Sequence, residues 1–323
     1  MSSSTTGLSA AMSIFYDKVF LERAKIELRH DFGADVKNVP MNSGKSIAFT
    51  RFTPLAVVTT SLSEATNPSS VDMTAATVSC TLADYGNWTQ VGSLYSMTSI
   101  EEGLTEHVSV HGQNAGESID QLIRTELVAG ATNAIVGTAT GAPSATAITT
   151  IHTTDTLTGL SIRQTVRTLK KNKAQRFPGG LYRGIIGPDT AMDLFGNSEW
   201  LDAHRYTTSD AIERGVIGKL HGVEFVETNN QHSALTAGFS TSATNMANVY
   251  SNFIFGAHAY AIVNLGSHNA PMVFVKNPGA NSTDNPLEMF STVGWKMPFV
   301  AKTLNANWLI NLKTGATDGF DIS

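Results

Sequence analysis

The side chains with the most specific chemistry are few and scattered. His107 and His111 stand four residues apart in a run of helical periodicity, which puts two imidazoles on one helix face, where they could hold a metal ion. The residue after His107 is Val108, so the glutamate of a zinc-protease helix is missing, and no third ligand accompanies the pair. We read both as surface or interface histidines. Gly44-Lys45-Ser46 ends like a phosphate loop, but Val39 stands where the first glycine must be and strand-like sequence follows. Gly116-Glu117-Ser118 has Asp120 in place of the closing glycine of a nucleophile elbow and lies within a helix, not at a strand-to-helix turn. Arg163, Arg167, Lys170, Lys171, Lys173 and Arg176 could touch phosphate, though a solvated helix face or the acid-binding side of a subunit contact explains them better. Asn87-Trp88-Thr89 and Asn281-Ser282-Thr283 fit the glycosylation pattern, which matters only for a secreted protein. None of this assembles into an active site, and no cofactor or metal is expected.

The elements around these residues say more. The run from about 101 to 136 places Leu104, Val108, Ala115, Ile119, Leu122, Ile123, Leu127, Ala131 and Ile135 at steps of three, four and seven, so it reads as one long spine helix with an apolar face. Ser99-x-x-Glu102 has capping-box spacing at its start. Gly112 and Gly116 inside it mark a bend or a close backbone approach. Residues 1–12 are small and polar and read as an arm, followed by a helix over 13–30. From Lys45 to about Met97 the texture is Val, Thr, Ile and aromatics, broken by a turn-rich tip at 64–72 that holds Asn67-Pro68. This reads as a long two-stranded excursion returning near Tyr85-Gly86. Such a ribbon has little core of its own and must lie on something, most simply another copy.

Further on, 138–156 reads as a loop and 158–173 as a helix with Leu160, Ile162, Val166 and Leu169 inward. Arg183-Gly-Ile-Ile-Gly187 reads as a buried strand and 188–195 as a helix, and apolar strands recur in 216–229, 252–263, 271–276, 293–304 and 307–314. The order implies an α+β fold rather than a doubly wound parallel sheet.

Charge is sparse and segregated. Charged residues make up 15% of the 323 residues, well below the usual quarter, which suits a surface that meets other protein. A net charge of -5 argues against a dedicated DNA-binding protein, and the lone Cys80 excludes an internal disulfide framework. No apolar run reaches membrane-spanning length and the N-terminal residues do not form a secretory signal, so we expect a soluble protein made in a cytoplasm. Between Arg51 and Arg124 there is no Lys or Arg but eight acids: Glu64, Asp72, Asp84, Glu101, Glu102, Glu106, Glu117 and Asp120. Residues 159–220 hold ten basic and six acidic residues. An acidic ribbon and spine with a basic region elsewhere is suited to head-to-tail contact between identical subunits; neutralisation within one chain is the alternative.

With these features placed, the chain resembles a major capsid protein of tailed bacteriophages with the Hong Kong 97-type fold, and more narrowly the branch in short-tailed phages of the N-four-like group and their prophage relatives. The residues carrying the likeness are the Ser/Thr arm before Tyr16-Asp17-Lys18, Gly44-Lys-Ser-Ile-Ala-Phe-Thr-Arg51-Phe52, Leu62-Ser-Glu64 with Pro68, and Tyr85-Gly86. Gly215-Val-Ile-Gly218-Lys-Leu-His-Gly222-Val-Glu-Phe-Val226-Glu-Thr228-Asn229 and, most specific, Gly294-Trp295-Lys296-Met-Pro-Phe-Val-Ala-Lys-Thr-Leu304-Asn305-Ala-Asn-Trp308 complete it. The chain departs at Ala65, where such proteins often carry Gly.

The resemblance implies an N-terminal arm and helix (1–40), an extended loop (41–85), a peripheral domain (86–137 and 285–323) built on the spine helix, and an inserted axial domain (138–284). It implies a non-enzymatic structural protein of the virion, assembled in the bacterial host cytoplasm as hexamers and pentamers. These close into an icosahedral shell around double-stranded DNA, with a portal and scaffolding or cement proteins as partners and no membrane. Glu64, Asp72, Asp84, Glu101, Glu102, Arg163, Arg167, Lys170, Lys171, Lys173 and Arg176 are the candidates for contact between subunits. Some members of the family cross-link through a loop lysine, but 52–84 contains none. The competing readings are an encapsulin-like cargo compartment and a soluble metal-dependent hydrolase using His107 and His111.

Overall fold

A computed structural model describes residues 5–53, 55–62, 64, 67–98, 103–136, 143–144, 151, 155–200, 218–235, 248–266, 270–276 and 289–317. Its axis is helix α3, Gly103–Gly130. At about 1.5 Å per residue it runs roughly 42 Å. Val108, Ala115, Ile119, Ile123 and Leu127 form its buried stripe. The helix stops at Gly130 rather than near 136. Thr132, Ile135 and Val136 are β-branched and continue as strand β5, Thr132–Val136, parallel to the late strand β15, Leu309–Thr314.

Helix α1, Thr5–Glu27, lies along α3. It starts within the stretch read as an arm, because Leu8, Ala10, Ala11 and Met12 propagate a helix easily once one exists. The two glycines of α3 are explained by α1. A Cβ on Gly112 would stand 2.7 Å from the Phe20 carbonyl oxygen, and one on Gly116 2.5 Å from that of Ala24. They mark a close backbone approach.

One sheet is built on β14, Phe290–Thr303. Strand β4, Ala83–Gly92, pairs antiparallel along one edge of it, while β13, Met272–Lys276, and β12, Tyr260–Leu265, share the other. Strand β1, Asp35–Val39, which the Val39-Pro40 break concealed in the sequence, adds parallel to β12. The second sheet runs β6 (Pro143–Ser144), β5, β15, β11 (Asn248–Phe255), β7 (Tyr182–Ile186), β9 (Val223–Glu227) and β8 (Lys219–Leu220), with β10 (Ser233–Leu235) also on β11. The architecture is α+β. Strands β12 and β13 belong with β14, whereas β15 joins the second sheet.

Strand β11 is apolar on both faces. Phe253 and Phe255 point into the cluster under α3, and Ile254 points into a second cluster with Ile162, Val166 and Leu169 of α4 (Gly159–Lys171) and Ala191 and Leu194 of α5 (Pro188–Phe195). Thr158 caps α4, its side chain accepting from the Ser161 N–H. Leu160 does not face inward as expected; it is 37% exposed, because it lies about 200° around the helix from Ile162. Two further strand readings fail: 55–62 forms no strand, and Ser93–Thr98 is a short helix, α2. Residues 55–62 are β-prone, but no neighbouring strand accepts their backbone hydrogen bonds.

Polar ties from α3 reach most parts of the body. His111 meets Thr89 of β4 at 2.9 Å, Asn114 accepts from the Trp295 indole at 3.1 Å, and Glu126 accepts from the Thr303 N–H at 3.1 Å. Asp120, counted above among the acids of an exposed face, is instead fully buried. Its Oδ1 accepts from the N–H groups of Arg29 (2.8 Å) and His30 (2.7 Å), and its Oδ2 accepts from His30 Nδ1 (2.7 Å) and Asn230 Nδ2 (3.0 Å). Burial pushes this carboxyl up, but the His30 ring and the two backbone donors outweigh it and hold its pKa below the ordinary value.

Asp120→Ala strands those donors and should destabilise the folded subunit by about 3–5 kcal/mol in denaturant titrations. A depressed carboxyl pKa contributes stability at neutral pH that is lost as pH falls below about 4. Wild type should therefore show this acid loss, and Asp120→Asn should lack that component of it.

Candidate functional site

The excursion of the chain is a ribbon of two strands, β2 (Ser46–Phe52) and β3 (Ala75–Thr81), paired antiparallel from Ser46↔Thr81 to Phe52↔Ala75. Its base is anchored: Phe49 and Cys80 pack with Val39, Ala261 and Val263. Cys80 is buried, its Sγ directed at the Ile47 carbonyl oxygen, and burial raises its pKa. Every described residue from Thr50 to Thr77 is exposed, including Phe52, Leu55, Leu62, Val71 and Met73 and, most fully, Val57 (81%) and Val58 (78%). An apolar projection on this scale is the mark of a surface that another molecule covers.

A second exposed apolar patch lies on the first sheet. Trp88 and Tyr85 of β4 and Phe274 of β13 flank a shallow groove floored by Gly86 and Gly294. Lys296 and Asp84 form an ion pair at 3.0 Å beside it. Sequence periodicity could not single these aromatics out, since apolar residues on a strand read as core.

The charged candidates divide. Glu64 and Asp72 are exposed on the unanchored part of the ribbon. Asp84 is outside the ribbon, on β4, and Lys296 of the same chain already faces it. Glu101 and Glu102 lie outside the described residues. Arg163, Arg167, Lys170 and Lys171 share the exposed side of α4, and Lys173 and Arg176 follow it. Arg163 is engaged within the chain: Glu199 binds it at 3.0 Å and takes His221 Nε2 at 2.9 Å through its other oxygen. Arg176 stacks over the Tyr182 ring. Arg167, Lys170 and Lys171 have no ion-pair partner among the described residues.

The histidine pair is also redistributed. His111 is not a surface residue but 4% exposed, with Nε2 against Thr89 and Nδ1 unpartnered. Burial, then the neighbouring His107, lowers its pKa, which keeps it neutral at physiological pH. Among the described residues no group of three His, Cys, Asp or Glu side chains is placed to hold a metal ion. Also among them, no helix is long and apolar enough to cross a membrane.

No family model and no curated protein matches the sequence. Solved structures do match. The capsid of Ralstonia phage GP4 aligns at TM-score 0.66 with 12% identity, over 91% of this chain and 93% of that one. The capsid of cyanophage P-SCSP1u aligns at 0.62 with 14% identity over 87% and 86%, and that of cyanophage Pam1 at 0.60 with 15% identity over 92% and 92%. The chain has the fold of these capsid structures, the Hong Kong 97-type fold.

Because Val57 and Val58 are exposed in their own subunit, Val57→Ser with Val58→Ser should change subunit stability by less than about 0.5 kcal/mol, whereas Phe20→Ala in the core should cost about 3–5 kcal/mol. Thermal unfolding of the unassembled chain followed by circular dichroism measures both. A large loss from the ribbon pair would mean that those valines are buried in the subunit.

Proposed function

We propose that this chain is a major capsid protein of a tailed phage, assembling as hexamers and pentamers into an icosahedral shell around double-stranded DNA. The observation that carries the reading is the ribbon, whose apolar residues from Phe52 to Met73 stand exposed in the single subunit. A structural protein with a copy of itself as partner accounts for that exposure, and the capsid fold supports it. In this reading 1–40 is the arm and first helix, 41–85 the extended loop, 86–137 and 285–323 the peripheral domain, and 138–284 the axial domain. The protein works in the virion shell and is assembled in the host cytoplasm, alongside a portal and scaffolding or cement proteins. It performs no chemistry. DNA is enclosed without sequence recognition, in keeping with a net charge of -5.

The energetic logic is multivalent. Each ribbon contact is modest, but many copies closing one shell add their contacts without a further loss of freedom for each. Glu64 and Asp72 on the ribbon, with Glu101 and Glu102, face the basic side of a neighbour: Arg167, Lys170, Lys171, Lys173 and Arg176, with Arg163 shared with Glu199. Asp84, already paired with Lys296, contributes least. Neither an enzyme-loaded compartment nor a hydrolase is favoured by the matching structures, which are capsids.

The test is charge reversal. Glu64→Lys with Asp72→Lys should leave the circular dichroism of the free subunit unchanged and abolish shells in electron micrographs of the expressed protein. Normal particles from the double variant would remove the charge-pairing mechanism. Wild-type particles filled with a cargo enzyme rather than a genome would overturn the phage assignment.

A further inference from the structure

Between the C-terminal half of α3 and the second sheet, His232 lies within electrostatic reach of two basic side chains, Arg124 and Lys313. Arg124 projects from α3, and its Nη1 donates to Asn230 O (3.2 Å), to Asn230 Oδ1 and to Gln231 O (3.3 Å), fixing the turn that leads to His232. His232 is held in turn by β11: the Ser251 N–H donates to His232 O at 3.0 Å, and Ser251 Oγ stands 3.4 Å from His232 Nδ1. Lys313 of β15 lies directly opposite Ser251 in the sheet register. Alternation along β15 puts Lys313 on the same side as Leu309, which packs under α3, and Asn311, whose Nδ2 donates to Ser251 Oγ. Sequence positions 124, 232 and 313 are thus gathered by one helix, one turn and one strand.

What these cations lack is a counter-charge. No carboxylate among the described residues forms an ion pair with any of them. Asp120, one turn earlier on α3, reaches Arg124 electrostatically, yet its oxygens are taken up by His30, Arg29 and Asn230. Arg124 Nε is buried without a partner, and Ser251 occupies the Nδ1 side of His232. We propose that Arg124, His232 and Lys313 form a binding site for a tetrahedral oxyanion, a phosphate group. Arg124 supplies the guanidinium donors that Nη1 does not commit to Asn230 and Gln231, Lys313 a mobile point charge and His232 a ring N–H.

Burial lowers the pKa of Lys313, and burial together with the charges of Arg124 and Lys313 lowers that of His232. A bound phosphate relieves both effects. The phosphate is either free or part of a nucleic-acid backbone, since the same chemistry recognises each. The test of this site does not depend on shell formation.

The experiment titrates inorganic phosphate into the full-length chain at constant ionic strength, with chloride as control, following the thermal midpoint and the heat of binding. Phosphate should raise the midpoint where chloride does not. Lys313→Gln, which keeps the stem that packs on the sheet, should weaken phosphate binding about tenfold, the loss of one charge-assisted hydrogen bond. Arg124→Lys, which keeps the charge but not the fork, should weaken it as well. A short DNA duplex that displaces phosphate from wild type identifies a backbone phosphate as the ligand, and a duplex that fails to do so identifies the free ion. No response to phosphate, an equal response to chloride, or wild-type affinity in Lys313→Gln overturns the proposal.

Discussion

A carboxylate can be taken wholly out of water only if donors replace the water, and Asp120 is where this protein meets that condition. Its donors come from the chain just past α1 and from the turn after β9, two places far apart in sequence. The bottom of the first helix, the middle of the spine and the edge of the second sheet are therefore fixed to one another at a single point. Arg124, one turn on, extends the arrangement by holding Asn230 and Gln231. Around it the backbone of α1 comes within reach of Gly112 and Gly116, which no side chain other than glycine's would allow without a shift.

That fixed body contrasts with what projects from it. The ribbon has a small anchored base at Phe49 and Cys80 and then a span in which strands, charges and valines alike face outward. The same chain thus holds a buried carboxylate whose two oxygens each accept two hydrogen bonds and an apolar extension that stands exposed in the subunit. Under the assembly reading these are two halves of one design: the body supplies a rigid frame, and burial of the ribbon is deferred until a neighbour arrives. Deferral keeps the free subunit from spending that hydrophobic free energy early.

Much of the body was legible in the sequence. The α3 stripe, α4, α5 at 188–195 and the strand at 182–186 follow from local residue patterns, while the capping box expected at Ser99-x-x-Glu102 lies outside the described residues. The misreadings share a cause. Residues 55–62 are β-prone, yet a strand needs a partner, and sequence does not say whether one is present. The spine was read six residues too long because Ile135 continues the helical spacing, although its β-branched neighbours are better matched to the edge of β15. Asp120 was placed with surface acids, since only the fold brings His30 and Asn230 to it. Likewise the grouping of Arg124, His232 and Lys313 has no trace in local spacing, and Trp88 and Phe274 read as core until the sheet turned them outward.

The central claim is that the ribbon is ordered by neighbouring copies and not by its own subunit. Hydrogen–deuterium exchange on the free chain and on assembled particles tests it most directly. The account predicts that amides in the outer ribbon, 55–62 and 67–74, exchange readily in the free subunit and slow by orders of magnitude on assembly, while those of α3 are protected in both. Equal protection of the ribbon in the free subunit, or no change in it upon assembly, would contradict the account.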